Sequence, residues 1–337
     1  MILSWNTTKR CNLYCKHCYR ESDENPALNE LTTEEGYKLI DEIARTKAFK
    51  ILILSGGEPL IRPDIEDLAR HARTRGLIPV LGTNGTLITK ERAKTLKEAG
   101  VAAVGISLDS VCPEKHNDFR QTPEAFEKAL AGIKNAHDEG IRIQINPTIT
   151  KDNVDEIDSL IEMAEKLKAG ALHPFFLVEA GRGKCMTENA LSDEEYFEAL
   201  KKIMTLQGTS QVELKPTCAP QFMSLAKSMG VKTRFTRGCL AGTSYCCILP
   251  SGQVHVCPYL PIEAGHVRDK AFDEIWSESE VFIKLRGQVN YEGLCGTCED
   301  HNICGGCRAR AYYKTGDFMT ADPMSAHCYK RQEGLDE

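Results

Sequence analysis

Six short apolar runs, at residues 2–7, 51–54, 78–81, 103–108, 141–147 and 172–178, punctuate the first part of the chain. Each is rich in β-branched or aliphatic residues and lacks the polar alternation of a half-exposed strand. Each therefore reads as a strand buried on both faces of a parallel sheet. Amphipathic stretches with helix start and stop signals lie between them. Thr32 with Glu35, and Ser192 with Glu195, have capping-box spacing, and Thr122 precedes Pro123 at a first helical position. Gly76, Gly100, Gly140 and Gly170 fall where a helix ends on a left-handed residue. Six βα units predict an α/β fold, and their spacing fits a partial barrel or a doubly wound sheet. In either, functional side chains gather at the C-terminal ends of the strands.

The remaining composition narrows the class. With 42% hydrophobic and 27% charged residues in 337, the chain reads as an ordinary globular protein. No apolar run approaches the roughly 20 residues of a membrane helix, and no basic-then-apolar leader opens the sequence. A net charge of −6 speaks against nucleic acid as a partner. Together these predict a cytoplasmic protein without membrane segments. Fifteen cysteines in a reducing compartment do not read as disulfides. Three lie near the start and nine between Cys239 and Cys328; Cys112, Cys185 and Cys218 stand outside both groups. Metal binding explains that clustering.

The first group, Cys11-x3-Cys15-x2-Cys18, follows the first strand and brings three thiolates to one small volume. Three protein ligands leave one iron of a [4Fe–4S] cube open, whereas four close it. This spacing after a first strand resembles the radical SAM superfamily, whose open iron binds S-adenosylmethionine (SAM); a zinc loop is the plainer alternative. The resemblance implies a partial (β/α)6 TIM-type barrel over 1–208. It also implies SAM contacts from Tyr14 and His17 in the cysteine loop, and from Gly56-Gly57-Glu58 after the second run. Two glycines let backbone approach a ligand closely, and their amides can meet an amino-acid ligand. Asn84, Ser107 and Arg120 stand at positions that hold SAM's ribose or carboxylate in relatives. As residues alone, Asn-Gly and Ser-x-Asp are also ordinary turn chemistry.

Residues 209–238 read as a bridge, and 239–337 as a small cysteine-rich domain. That domain resembles the SPASM extension of radical SAM enzymes that act on peptides and other large substrates. The resemblance implies one auxiliary cluster on Cys239, Cys246 or Cys247, Cys257 and Cys307. A second falls on Cys295, Cys298, Cys304 and Cys328. Many relatives place three residues before the seventh cysteine, whereas Cys304 and Cys307 have two between them, so one or two auxiliary [4Fe–4S] clusters are expected. Two C-x2-C pairs could instead make structural zinc.

Across nearly the whole chain the resemblance is to radical SAM proteins of heme d1 and alternative heme synthesis. It is carried by Trp5-Asn6-Thr7-Thr8, Phe175-Phe176-Leu177-Val178, Arg237-Gly238-Cys239-Leu240 and Val256-Cys257-Pro258-Tyr259. It implies cleavage of SAM to a 5′-deoxyadenosyl radical that acts on acetate or propionate side chains of a sirohaem-derived iron tetrapyrrole. A low-potential donor such as ferredoxin or flavodoxin would supply the electron. Arg20, Arg182 and Lys215 could meet tetrapyrrole carboxylates, and His17 and His173 a heme iron. A peptide maturase is the alternative enzyme, weakened because many carry an N-terminal peptide-recognition domain of about 80 residues, for which a first strand expected at Ile2 leaves no room. An iron–sulfur electron carrier is the non-enzyme alternative; it needs neither an open-iron triad nor a Gly-Gly-Glu-Pro turn.

Overall fold

A computed structural model describes residues 1–287 and 291–325. The strands are β1 (Ile2–Thr8), β2 (Ile51–Gly56), β3 (Ile78–Thr83), β4 (Ala103–Ile106), β5 (Arg142–Ile145), β6 (Thr148–Ile149), β7 (Ala171–Leu172), β8 (Phe175–Phe176), β9 (Glu213–Leu214), β10 (Tyr245–Ile248), β11 (Gln253–His255) and β12 (Glu263–His266). Ten of them form one sheet in the order β12-β11-β10-β1-β2-β3-β4-β5-β7-β9. From β1 onward the strands lie in chain order and pair parallel, each following its predecessor through a helical crossover. A doubly wound sheet reverses its order at a switch point. From β1 to β9 this sheet does not reverse, so that run is a singly wound, barrel-type wall.

All six expected runs contain strands. Run 141–147 holds β5, with β6 just beyond it, and run 172–178 is split between β7 and β8, with β6 pairing β8 as a separate two-stranded sheet. Pro147 and Pro174 sit at the breaks, and a residue without an N–H cannot continue a ladder. Alternation assigns the two faces. Leu3, Trp5, Leu52, Leu54, Leu81, Val104, Ile145, Leu172 and Leu214 point to the helix layer and are almost wholly buried. Ser4, Asn6, Ser55, Ser107, Gln144, Asn146, His173 and Lys215 occupy the opposite, concave face. That face is polar at its C-terminal rim.

Both capping boxes form, on helices Thr33–Arg45 and Asp193–Leu206. The helix expected to start at Thr122-Pro123 starts later, at Ala125, and the proline at a first helical position is Pro113 of helix Pro113–Arg120. Gly76, Gly100 and Gly140 are left-handed as expected; Gly170 is not. Lys168 takes that conformation after helix Ile157–Lys166, so the chain has already turned before the glycine.

Besides β6, four strands have no counterpart in the sequence reading. β9 lies within 209–238 and pairs with β7. β10 pairs parallel to the free edge of β1, and β11 and β12 extend that edge antiparallel. The sheet thus runs unbroken from the barrel wall into the cysteine-rich region. No helix among the described residues is long and apolar enough to cross a membrane.

Candidate active site

The cysteine loop leaves β1 at Thr8 and is gripped from two sides. On one side is the turn after β2. Gly57 N–H donates to the Thr8 carbonyl (2.8 Å) and Glu58 N–H to the Arg10 carbonyl (2.8 Å). A Cβ on Gly57 would lie 2.2 Å from the Arg10 carbonyl oxygen, so only glycine permits this approach. Of the two glycine amides, that of Gly57 is therefore engaged by the protein itself. Glu58 is fully buried; it accepts from Thr83 Oγ1 (2.7 Å), Asn84 N–H (2.9 Å) and Leu60 N–H (3.1 Å). Burial, only partly offset by those donors, raises its carboxyl to about 7.

On the other side is the segment Gly181-Arg182. Arg182 N–H donates to the Cys18 carbonyl (3.1 Å), its Nε to the Cys15 carbonyl (2.9 Å) and its Nη1 to the Ser22 carbonyl (3.0 Å). Its guanidinium lies 3.9 Å from the centre of the half-exposed Tyr14 ring, and its Nη2 is buried without a partner. Arg182 thus holds the loop as well as standing at the site. Arg20 is similarly committed: Nη2 donates to the Pro258 carbonyl (2.9 Å), tying the loop to the cysteine-rich region, while Nε is buried and unpartnered.

Cys11 and Cys15 are buried and Cys18 packs against them. Donors point at all three sulfurs. Leu13 N–H (3.4 Å) and Asn84 Nδ2 (3.9 Å) face Cys11, Arg120 Nη1 (3.7 Å) faces Cys15, and Ser22 N–H (3.4 Å) faces Cys18. Donors to cysteine sulfur suit a charge-bearing, metal-bound thiolate and tune a cluster's potential. Burial pushes the Cys11 thiol up to about 12, so that free thiol holds its proton and a bound metal must displace it. Among the described residues no three His, Cys, Asp or Glu side chains converge closely enough to grip a single ion. Zn–S bonds of about 2.3 Å require such convergence, whereas a cube with its own sulfides keeps its cysteines apart. The donor set fits an iron–sulfur cluster better than zinc.

Around the loop stand the other expected residues. Arg120 forms a bidentate pair with Asp109 (2.6 and 2.8 Å), both buried. Burial alone would raise Asp109, but the guanidinium overrides it and holds the carboxyl well below its usual range. His17 stacks on Phe119 (4.3 Å, 7°), its Nδ1 buried and unpartnered; burial, then Arg120, lowers it to about 3, so it is neutral. Asn84 Nδ2 also donates to Asn12 Oδ1 (2.9 Å), and Ser107 is half-buried at the end of β4. A cleft of about 610 Å³ beside the loop is lined by Tyr14, Asp109, Phe119, Asn153 and Arg182 among others. That volume lies within the range of small-molecule sites. His173 stands apart, at the end of β7.

The C-terminal cysteines fall into separate places. Cys295, Cys298 and Cys304 line one small cavity with His301; Cys328 lies outside the described residues. Cys239, Cys257 and Cys307 lie within electrostatic reach of one another. Cys246 and Cys247 do not join them. Register pairs Leu3 with Cys246 and Ser4 with Cys247. Cys246 therefore shares Leu3's face and is sealed in the core, while Cys247 faces Asn6, whose Nδ2 donates to its sulfur (3.6 Å). Cys218, outside both sequence groups, lies within reach of Cys239, Cys257 and Cys307. No motif in the sequence singled it out.

Comparison with known proteins agrees with this arrangement. Residues 5–164 match the radical SAM superfamily and residues 239–307 an iron–sulfur cluster-binding domain, SPASM. An AdoMet-dependent heme synthase of Methanosarcina barkeri is 43% identical over 96% of this chain and 95% of its own. A mycofactocin maturase of Mycobacterium ulcerans is 30% identical over 98% and 88%. In fold, the chain is similar to Streptococcus suis SuiB bound to S-adenosylmethionine, with a TM-score of 0.76 at 15% identity, over 96% of this chain and 76% of that one. The chain belongs to the radical SAM superfamily, in its SPASM-bearing form, and is an enzyme whose cofactors are S-adenosylmethionine and [4Fe–4S] clusters.

Proposed function

We propose that the substrate is an iron tetrapyrrole bearing carboxylate side chains, and that the reaction removes or alters its acetate or propionate groups in the making of heme or heme d1. The observation that carries this reading is the end-to-end likeness to the heme synthase, which exceeds that to the peptide maturase. When bound, the open cluster and SAM supply a 5′-deoxyadenosyl radical able to take hydrogen from an unactivated carbon. The chain's own part is to hold and orient. Cys11, Cys15 and Cys18 hold the cluster; Glu58 and Asn84 brace the strand ends beside it. Tyr14, His17, Ser107 and Arg120 border the space for SAM.

Basic side chains on the concave face support a polyanionic substrate. His173 Nε2 lies 3.4 Å from Glu213 Oε1, Glu213 also pairs with Arg234, and the Lys215 ammonium lies 5.0 Å from the Phe235 ring centre. Burial lowers Lys215, which makes a carboxylate partner there more valuable. A low-potential donor, such as ferredoxin or flavodoxin, delivers the electron, and the enzyme works in the cytoplasm.

The test is to add iron coproporphyrin III, and separately a sirohaem-derived iron tetrapyrrole, to the anaerobically reconstituted enzyme. A shift of the Soret band reports binding. With SAM and a low-potential reductant, one of the two should lose side-chain mass, and Lys215→Ala should weaken binding. If neither tetrapyrrole changes mass while a short cysteine-containing peptide is crosslinked, the protein is a maturase instead.

A further inference from the structure

Arg308 opens the helix Arg308–Thr315, directly after the run Cys304-Gly305-Gly306-Cys307. It is 1% exposed, where arginine is found only when something balances its charge. Its guanidinium donates to three backbone carbonyls: Nε to Gly306 (3.4 Å), and Nη1 to Phe318 (3.1 Å) and Thr320 (2.7 Å). The group lies 4.3 Å from the centre of the Tyr291 ring. Carbonyls and a ring face satisfy its N–H groups but leave a whole positive charge uncompensated. The start of a helix makes this worse, because the helix dipole is positive there.

Among the described residues no carboxylate stands at ion-pair distance from Arg308. Asp322 acts on it from further off and is already committed. Both its oxygens are taken by Arg310 (3.0 and 3.0 Å), and Oδ2 also accepts from Cys307 N–H (2.7 Å). What Arg308 does reach is sulfur. Its Nη2 donates to Cys295 Sγ (3.5 Å), and Asp322 N–H donates to the same atom (3.4 Å). The backbone is shaped for this approach. Gly306 has φ +55°, and a Cβ there would lie 2.2 Å from Arg308 Nη2 and 3.1 Å from Cys295 Sγ. Glycine thus keeps open the space through which guanidinium meets sulfur.

A neutral thiol at Cys295 would leave the buried cation unpaired, whereas a metal-bound thiolate balances it. Cys295 shares its small cavity with Cys298 and Cys304, so the residues fit an anionic iron–sulfur centre. We propose that Arg308 is the internal counter-cation of the cluster held by Cys295, Cys298 and Cys304, and that its charge keeps the reduction potential of that cluster up. One-electron reduction adds one negative charge to the cluster and its thiolates. A guanidinium against a ligand sulfur stabilises the reduced state more than the oxidised one. Arg308 acts through Cys295 and is a positioning residue. The inference rests on the SPASM assignment and is independent of the substrate.

The test is a redox titration followed by EPR, on full-length protein reconstituted anaerobically. Cys11→Ala, Cys15→Ala and Cys18→Ala are introduced first, so that every remaining signal belongs to the C-terminal half. In that background, Cys298→Ala identifies the cluster in question as the signal and the roughly four irons that it removes. Arg308→Gln should lower the midpoint potential of that cluster by about 59 mV or more, a tenfold change in its reduced-to-oxidised ratio. Arg308→Lys, which keeps the charge, should hold it near the background value. An unchanged midpoint in iron-replete Arg308→Gln overturns the proposal, as does a shift confined to a signal that survives in Cys298→Ala. If Arg308→Gln loses the cluster or fails to fold, Arg308→Lys decides. A retained cluster with its midpoint kept shows that charge is what the site needs, whereas loss or an equal fall in both variants overturns the proposal. Full iron in Cys298→Ala, or zinc in place of iron, overturns it too.

Discussion

Arg120 shows how much of the site is written in contacts rather than residue types. An arginine at the end of a helix is ordinarily solvated. This one is buried against Asp109 and reaches Cys15 across 105 positions of sequence. Replacing it with Met leaves the buried Asp109 carboxylate without its guanidinium partner, held only by Thr148 N–H (3.0 Å) and beside His116 Nδ1 (3.3 Å). Such a break costs about 3–5 kcal/mol, while replacing both partners costs much less. Denaturant midpoints of Arg120→Met and of the Asp109→Leu/Arg120→Met double variant check this. A single variant no less stable than the double one would show that the pair matters little. At this scale the thiolate triad was legible from spacing alone, because x3 and x2 steps place three donors in one loop. Cys218 was not, because its partners lie 21, 39 and 89 residues on, and only the fold closes those distances.

Glu58 works at the scale of elements, joining the end of β2 to the end of β3 through Thr83 and Asn84. Its folded carboxyl titrates at about 7, against about 4.3 for an unfolded glutamate. Between those values the folded state holds a proton that the unfolded chain has released. Stability therefore falls as pH rises from about 4.5 through about 7, by roughly 3 kcal/mol. Denaturant melts of the cluster-free protein across that window should show the decline, and Glu58→Gln should flatten it. An unchanged slope in Glu58→Gln would assign the dependence to other groups. Among elements, the strand cores and both capping boxes were readable, since burial period and cap chemistry are local. The breaks at Pro147 and Pro174 were equally present in the sequence, as residues that cannot donate. The two-residue β9 was not, because so short a strand exists only through its pairing with β7.

At the scale of the molecule, the barrel wall and the cysteine-rich region share one sheet. Arg20 and β10 link the SAM-cluster loop to the auxiliary region. The described half-sites, with Cys328 beyond them, predict a brown protein binding roughly 8–12 irons after anaerobic purification, with matching sulfide. About four irons accompanied by zinc would remove the auxiliary clusters from this account. The sequence by itself determined the class of chemistry: C-x3-C-x2-C after a strand, then a Gly-Gly-Glu-Pro turn, then a late cysteine series. It also determined the βα rhythm, because buried parallel strands need unbroken apolar runs. Only the tertiary structure decided that the strands wind one way, since strand order is a matter of pairing and not of composition. It alone decided which cysteines meet. Alternation along β10 turns Cys246 into the core and Cys247 toward the barrel, whereas Arg310, which donates to the Cys218 carbonyl and pairs with Asp322, ties Cys218 to Cys307, whose N–H donates to Asp322. Spacing along a chain limits which cysteines can share a loop, but packing decides which cysteines from separate segments come together.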